Sequence, residues 1–142
     1  MPAYYTNDAR FELPDVGFVD RTVTYLVGKS PGGADVVLLV ERRPLPKEQS
    51  LRQAVAKIGT DALQRLRGYT VLGEREIEVA SVPAIDVSAR WRTEAGEPIY
   101  TRRTHLVLGA TWLVIACEAP IAARESCDAY VDQVLATFQL RE

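Results

Sequence analysis

Histidine and methionine occur once each and cysteine twice in 142 residues, so the chemistry open to this chain is narrow. One His and two Cys do not make a zinc set. Cys117 and Cys127 fall in different expected elements and read as two buried, reduced thiols; the alternative, a disulfide joining strand end to helix start, is geometrically conceivable but not expected in the cytoplasm. Catalytic and phosphate-binding signatures are missing too. There is no G-x-S-x-G elbow, no C-x-x-C, and Gly32-Gly33 belongs to neither a G-x-x-x-x-G-K-[ST] nor a G-x-G-x-x-G pattern. Positive charge is not in excess: 17 Lys and Arg stand against 19 Asp and Glu, a formal charge of -2, which speaks against nucleic-acid binding through phosphate neutralisation. Long apolar runs are absent. The longest near-apolar stretch, Trp112 to Cys117, is far too short to span a bilayer, so direct membrane insertion is not expected. Met1-Pro2-Ala3-Tyr4-Tyr5 has neither a basic n-region nor an apolar h-region; no signal peptide is expected, and a cytoplasmic location is. Nothing calls for a cofactor.

What is present is an ordinary globular balance, 47% apolar and 25% charged. The length suits one domain, residues 1–142, with a core that needs neither metal nor disulfide. Tyr4 to Leu13 reads as a short strand pair broken near Asn7-Asp8, and Pro14-Asp15-Val16-Gly17 as a turn. Asp20 to Val27 is β-rich, Ser30-Pro31-Gly32-Gly33 is a connection, and Val36 to Val40 suits a strand covered on both faces. Pro44 and Pro46 end that strand. Ser50 then caps a helix, with Gln53 as its capping-box partner. Leu51, Ala54, Val55, Ile58, Ala62, Leu63 and Leu66 form its apolar stripe; Arg65 and Arg67 fall in its last turn and Gly68 just past its end. Gly59 costs about 1 kcal/mol against alanine and lets another group come close. A four-stranded meander follows: Tyr69 to Val79 with a bend at Gly73, Pro83 to Thr93, Pro98 to Leu108, and Thr111 to Glu118. The last helix, Ala123 to Phe138, has a stripe of Cys127, Tyr130, Val131, Val134, Leu135 and Phe138. The fold expected is α+β: an antiparallel sheet of about six strands, order βββ-α-ββββ-α, with two main helices packed on it.

Within the meander, Ile85 to Arg92 alternates apolar odd with polar even positions, the pattern of one buried and one wet face. The next strand breaks that rule. Arg103 and His105 fall in step with Ile99, Thr101 and Val107, a mixed face suited to covering something. His105 is a general-base candidate; with no partner motif it reads as a half-exposed strand histidine. Glu74, Glu76 and Glu78 share one face, either for a hard cation or, more simply, solvated and offset by Arg90 and Arg92. Arg42-Arg43 and Arg102-Arg103 read as solvated strand ends or local ion pairs. Tyr4, Tyr5, Trp91, Tyr100 and Trp112 read as core and rim aromatics, without the basic groove of a base-stacking platform. The helix residues Ile58, Ala62 and Leu66 and the strand sets Val23/Tyr25, Val37/Leu39 and Ile99/Thr101 either line one groove or fill the core.

Several short motifs follow one another in a telling order. They are Tyr4, the Glu12-Leu13-Pro14-Asp15 turn, Asp20-Arg21-Thr22-Val23, the Leu66-Arg67-Gly68-Tyr69 helix exit, Arg90-Trp91-Arg92 and the Gly96 turn. In order and spacing they resemble the DcrB-like, PsbP-like superfamily across nearly the whole chain, and within it the Eag chaperones of type VI secretion. The resemblance implies a homodimer without enzymatic activity. It would bind the N-terminal transmembrane helices of an effector carrying a PAAR domain, often an Rhs toxin, and keep them from aggregating before secretion. The groove positions it implies are Val23, Tyr25, Val37, Glu41, Ile58, Ala62, Leu66, Ile99 and Arg103. This sequence departs from the pattern at Ile58 and Arg103, where uncharged polar residues are usual, at Val37 and Glu41, where small hydroxyl residues are, and at Tyr25, which is larger than the usual aliphatic residue. Ala62→Arg is the substitution expected to break a client complex. Two other readings stand beside it. One is a protein-interaction module of the same fold without a membrane-helix client. The other is an enzyme or small-ligand binder centred on His105 and Arg103, which a deep closed pocket holding both side chains would favour and a shallow open groove would not.

Overall fold

The computed structural model describes residues 3–5, 10–12, 14 and 21–140. The strand break at Asn7-Asp8, most of the Pro14–Gly17 turn and the Asp20 strand start lie outside the described residues. Strands β1 (Ala3–Tyr5) and β2 (Arg10–Glu12) pair antiparallel as a separate two-stranded sheet. The main sheet is six-stranded and antiparallel. It comprises β3 (Val23–Lys29), β4 (Asp35–Pro44), β5 (Arg67–Val79), β6 (Val82–Arg92), β7 (Pro98–Leu108) and β8 (Thr111–Pro120), in the order β3-β4-β8-β7-β6-β5. Helix α1 (Leu51–Arg65) leaves from β4, and α2 (Arg124–Thr137) follows β8 through a 3₁₀ turn at Ile121–Ala123. The expected α+β class, the meander and both helices are all present. Four strands rather than three precede α1, because the first segment forms its own small sheet.

Local chemistry explains where the chain turns. Ser50 Oγ accepts from the Gln53 amide at 3.2 Å while Gln53 Oε1 accepts from the Ser50 amide at 2.9 Å, so the expected capping box forms. The helix ends earlier than its stripe suggests. Leu66 is already extended, and Arg67 opens β5 instead of lying in the last turn. Gly73 does mark a bend, since the β5–β6 register shifts between Val71 and Gly73. The β5–β6 connection is a two-residue turn at Ala80-Ser81, with φ of 49° and 66°. Hairpin turns of this kind favour Asn-Gly, because a side chain other than Asn or Gly crowds the left-handed backbone. Replacing Ala80-Ser81 by Asn-Gly is therefore expected to stabilise the fold by about 1 kcal/mol, read as a higher urea midpoint with an unchanged slope. An unchanged or lower midpoint would refute this account of the turn.

The helices cover opposite faces of the sheet. Ala54 of α1 packs with Trp112, Val114 and Ala116 of β8, flanked by Leu39, Leu51 and Ile58. Cys127 and Val131 of α2 pack with Val36, Tyr100, Cys117 and Ala119 on the other side. Cys117 and Cys127 are both buried free thiols that touch each other. The hydrogen bond between them pushes the Cys127 thiol well above its ordinary value.

One expectation about β6 is corrected here. Its even face is wet only toward its end: Arg90 and Arg92 are exposed, but Asp86 is 5% exposed and lies under α2. Its carboxylate accepts from Arg102 Nε at 3.2 Å to each oxygen, from Thr104 Oγ1 at 3.1 Å and from Arg75 Nε at 3.2 Å. Arg102, also buried, reaches on to Asp132 at 2.8 Å and to the Asp128 carbonyl at 3.3 Å. The Tyr100 hydroxyl donates to Asp128 Oδ1 at 2.6 Å. Alternation hid this because a charge that is paired under a helix and a charge in water have the same letter. The acidic row is corrected as well. Glu74, Glu76 and Glu78 stand opposite Val87, Ile85 and Pro83, on the α1 side, whereas Arg90 and Arg92 share the even face of β6 and cannot offset them. Glu76 pairs instead with Arg52 of α1.

Candidate functional site

The pairing register assigns every candidate groove residue on the strands to the α1 side of the sheet. Across the sheet, Tyr25, Leu39, Ala116, Arg103 and Val87 stand in one row, and Val27, Val37, Glu118, Thr101 and Ala89 in the next. Ile99 pairs with Trp91, and Val23 with Glu41. The odd positions of β6 and β7 thus form one continuous surface. Ile85, Val87, Ala89 and Trp91 of β6 therefore lie on the same side of the sheet as the mixed face of β7.

Helix α1 crosses this surface and divides it. On the β3 side lies an open trough of about 260 Å³ lined by Tyr25, Val37, Leu39, Ile99 and Glu118. Its rim is strand β3, where Val23, Tyr25 and Val27 are each more than half exposed. Burial pushes the Glu118 carboxyl up, with the Arg103 charge pulling the other way. Glu41, two residues on from Leu39 along the same face of β4, accepts from Arg43 at 2.5 and 3.1 Å, and Arg43 lies over the Trp112 ring at 5.3 Å.

Ile58, Ala62, Leu66, Thr101 and Arg103 sit elsewhere, around a gap of about 60 Å³ under the C-terminal half of α1. Ala62 is 6% exposed, and Thr101 is buried with its hydroxyl accepting from Trp91 Nε1 at 3.0 Å. Ala62 and Thr101 are packing positions. Ala62→Arg would disrupt the seat of α1 before it blocked any client, so trough residues make cleaner probes.

A third hollow, about 280 Å³, opens between α1 and β5. Its walls include Ile58, Gly59, Leu63, Val71 and Val87, and Arg103 and His105 line it as well. His105 is buried rather than half-exposed, because Trp112 covers it and donates Nε1 to its Nδ1 at 3.2 Å. Burial, then the charges of Arg103 and Arg43, depress its pKa to about 3, against a weaker pull from Asp86. A ring that stays neutral at pH 7 and offers its Nδ1 lone pair to tryptophan is a poor general base. Sequence reasoning missed Val27, Glu118, Tyr69 and Val71 around these hollows. Val27 was legible in the alternation of β3; the rest depend on register.

Among the described residues no group of three or more His, Cys, Asp or Glu is arranged to hold a metal ion, the glutamate row of β5 included. No helix among them is long and apolar enough to cross a membrane.

The DcrB family model matches residues 8–139. The chain belongs to the DcrB family. None of the curated proteins matches it. Among solved structures, this DcrB-family chain is similar to PA94 from Pseudomonas aeruginosa, a protein of unknown function. The TM-score is 0.85 at 18% identity, over 100% of this chain and 98% of that one. It is similar to LpqN of Mycobacterium tuberculosis, involved in cell envelope biogenesis, with a TM-score of 0.59 at 11% identity over 80% and 68%. It is similar to cyanobacterial PsbP from Synechocystis sp. PCC 6803, with a TM-score of 0.56 at 9% identity over 92% and 98%. These likenesses establish a PsbP-like fold for the DcrB-family chain.

Proposed function

We propose that the protein is a non-enzymatic cytoplasmic chaperone of the Eag kind. It acts as a homodimer that shields the N-terminal transmembrane helices of a PAAR or Rhs-type type VI effector, with the trough beside α1 as the binding site. One observation carries the reading: the α1 side of β3 and β4 presents Val23, Tyr25, Val27, Val37 and Leu39 with no helix over β3 among the described residues. Apolar surface on such a scale marks an interaction site. A client helix would meet the trough over part of its length: the trough follows β4 from Asp35 to Leu39, about 13 Å at the usual strand rise, which matches about nine residues of helix. A helix laid along β4 would rest on Leu39 and Val37, flanked by α1 and the Tyr25 side chain.

A second reading, a protein-interaction module without a membrane-helix client, draws on a different feature. Among the described residues β3 is an edge strand, and Leu26, on its opposite face, is also more than half exposed. An edge with apolar groups on both faces suits pairing with another strand.

The two readings separate by face. The full chain would be co-expressed with the N-terminal segment of the effector encoded beside it, and the complex isolated. Under the chaperone reading, Tyr25→Asp and Val27→Asp, at two exposed positions on the α1 side of β3, weaken the complex tenfold or more, since each places a charge against apolar surface that the client buries, while Leu26→Asp leaves it intact. Equal loss from Leu26→Asp would favour edge pairing. An unchanged complex with Tyr25→Asp would rule the trough out.

A further inference from the structure

We propose that the hollow between α1 and β5 is a binding site for a small amphipathic carboxylate, held by Arg103 and His105 at its polar floor and by apolar walls around its tail. This site is separate from the trough and does not rest on the chaperone reading. Three observations carry it.

The first is the donor set. Arg103 is half-buried and, among the described residues, forms no hydrogen bond or ion pair, although it lines both hollows beneath α1. Arg102, its neighbour in sequence, is engaged at both ends of its guanidinium. His105 stands two residues along on the same face. Because the Trp112 indole can only donate, Nδ1 must be the acceptor, and the ring proton of the neutral imidazole sits on Nε2. Among the described residues Nε2 has no hydrogen-bond partner. Two unpaired donors, one of them charged, therefore border the same hollow. An acceptor with negative charge satisfies both, and a planar carboxylate matches the guanidinium fork.

The second is the space. At the roughly 30 Å³ that a water takes in the liquid, about 280 Å³ holds about nine non-hydrogen atoms. Gly59 faces this space from mid-helix, and a Cβ built on it would meet nothing within 4 Å. A glycine inside a helix is unfavourable, and here its missing side chain is part of the opening.

The third is the polarity of the walls. Ile58, Leu63, Val55, Val71 and Val87 supply apolar surface. The Thr60 hydroxyl is occupied by the Ala56 carbonyl at 3.1 Å. Leu63 and Val71 are exposed at the mouth, where an apolar tail would cover them. Glu74 stands at the rim and is exposed, so the carboxylate head would enter past it to the floor, away from that charge.

Octanoate, with ten non-hydrogen atoms, is the probe. Calorimetric titration of the full chain at pH 7 is expected to show saturable binding, with amide resonance shifts centred on Gly59, Val71 and Val87. Octan-1-ol, with the same tail and no charge, should bind at least tenfold more weakly, and octylammonium not at all. Arg103→Gln should lower octanoate affinity at least tenfold and leave octanol unchanged. Gly59→Leu, which fills the hollow, should abolish binding of both while the circular dichroism spectrum is kept. Equal affinity for octanoate and octanol, no octanoate binding, or an unaffected Arg103→Gln variant would overturn the proposal. Should Arg103→Gln fail to fold, Gly59→Leu decides: octanoate binding that survives it places the ligand elsewhere.

Discussion

Asp86→Ala is expected to lower the free energy of unfolding by about 3–5 kcal/mol, the range found when one member of a buried ion pair is removed. Asp86 and Arg102 are each 5% exposed in their side chains and 3.0 Å apart, beneath α2. The alanine would leave the Arg102 guanidinium buried with only its outer end held, by Asp132 and the Asp128 carbonyl. It would also strip the acceptor from Thr104, a side chain with no exposure, and from Arg75. For a chain of this length the loss corresponds to a fall in Tm on the order of 10 °C or more. The outer partner gives the contrast. Asp132 is 63% exposed, so Asp132→Ala should cost about 1 kcal/mol or less. Replacing both buried members by leucine should recover much of the Asp86→Ala loss, since a buried pair often does no better than apolar groups of similar volume. Urea unfolding of the four proteins measures this directly. A loss under 1 kcal/mol for Asp86→Ala would show that the network does not lock α2 to the sheet.

That network marks the limit of what the amino-acid order reveals. The meander, both helices, the capping box at Ser50 and the bend at Gly73 were all legible, because each rests on neighbours in sequence. Side-chain alternation also placed Val23, Tyr25, Val37, Leu39, Ile99, Thr101 and Arg103 on one side of the sheet. What alternation cannot say is what lies over a face. It assigned water to Asp86, where α2 lies, and partial exposure to His105, where Trp112 lies. Likewise, the stripe of α1 gave Ile58, Ala62 and Leu66 together but not the direction in which they face. They line the gap under the helix, while the open trough is built from strands on its other flank. The helix position depends on contacts between residues far apart in sequence, such as Ala54 with Trp112 and Ala116.

The same burial makes His105 the source of a pH effect. Its folded pKa of about 3 lies below the roughly 6.5 of an unfolded chain. Below pH 6.5 the unfolded chain binds a proton that the folded one refuses until about pH 3. The contribution is therefore fully present above pH 6.5 and is lost as the pH falls toward 3. The slope is about 1.4 kcal/mol per pH unit, or about 4 kcal/mol over the window. Glu118 acts in the opposite sense. Its raised pKa means that its protonation relieves a cost in the folded state, which offsets part of the loss near the lower end of the window. His105→Gln keeps an acceptor for the Trp112 indole and removes the titration. Urea unfolding at pH 7 and at pH 4.5 should show the wild-type chain losing about 2–3 kcal/mol more than the His105→Gln variant. In parallel, the His105 ring resonances of the folded chain should not titrate between pH 8 and pH 5. A shared pH dependence in the two proteins, or a ring that titrates near 6.5, would mean that burial under Trp112 does not hold the His105 ring neutral.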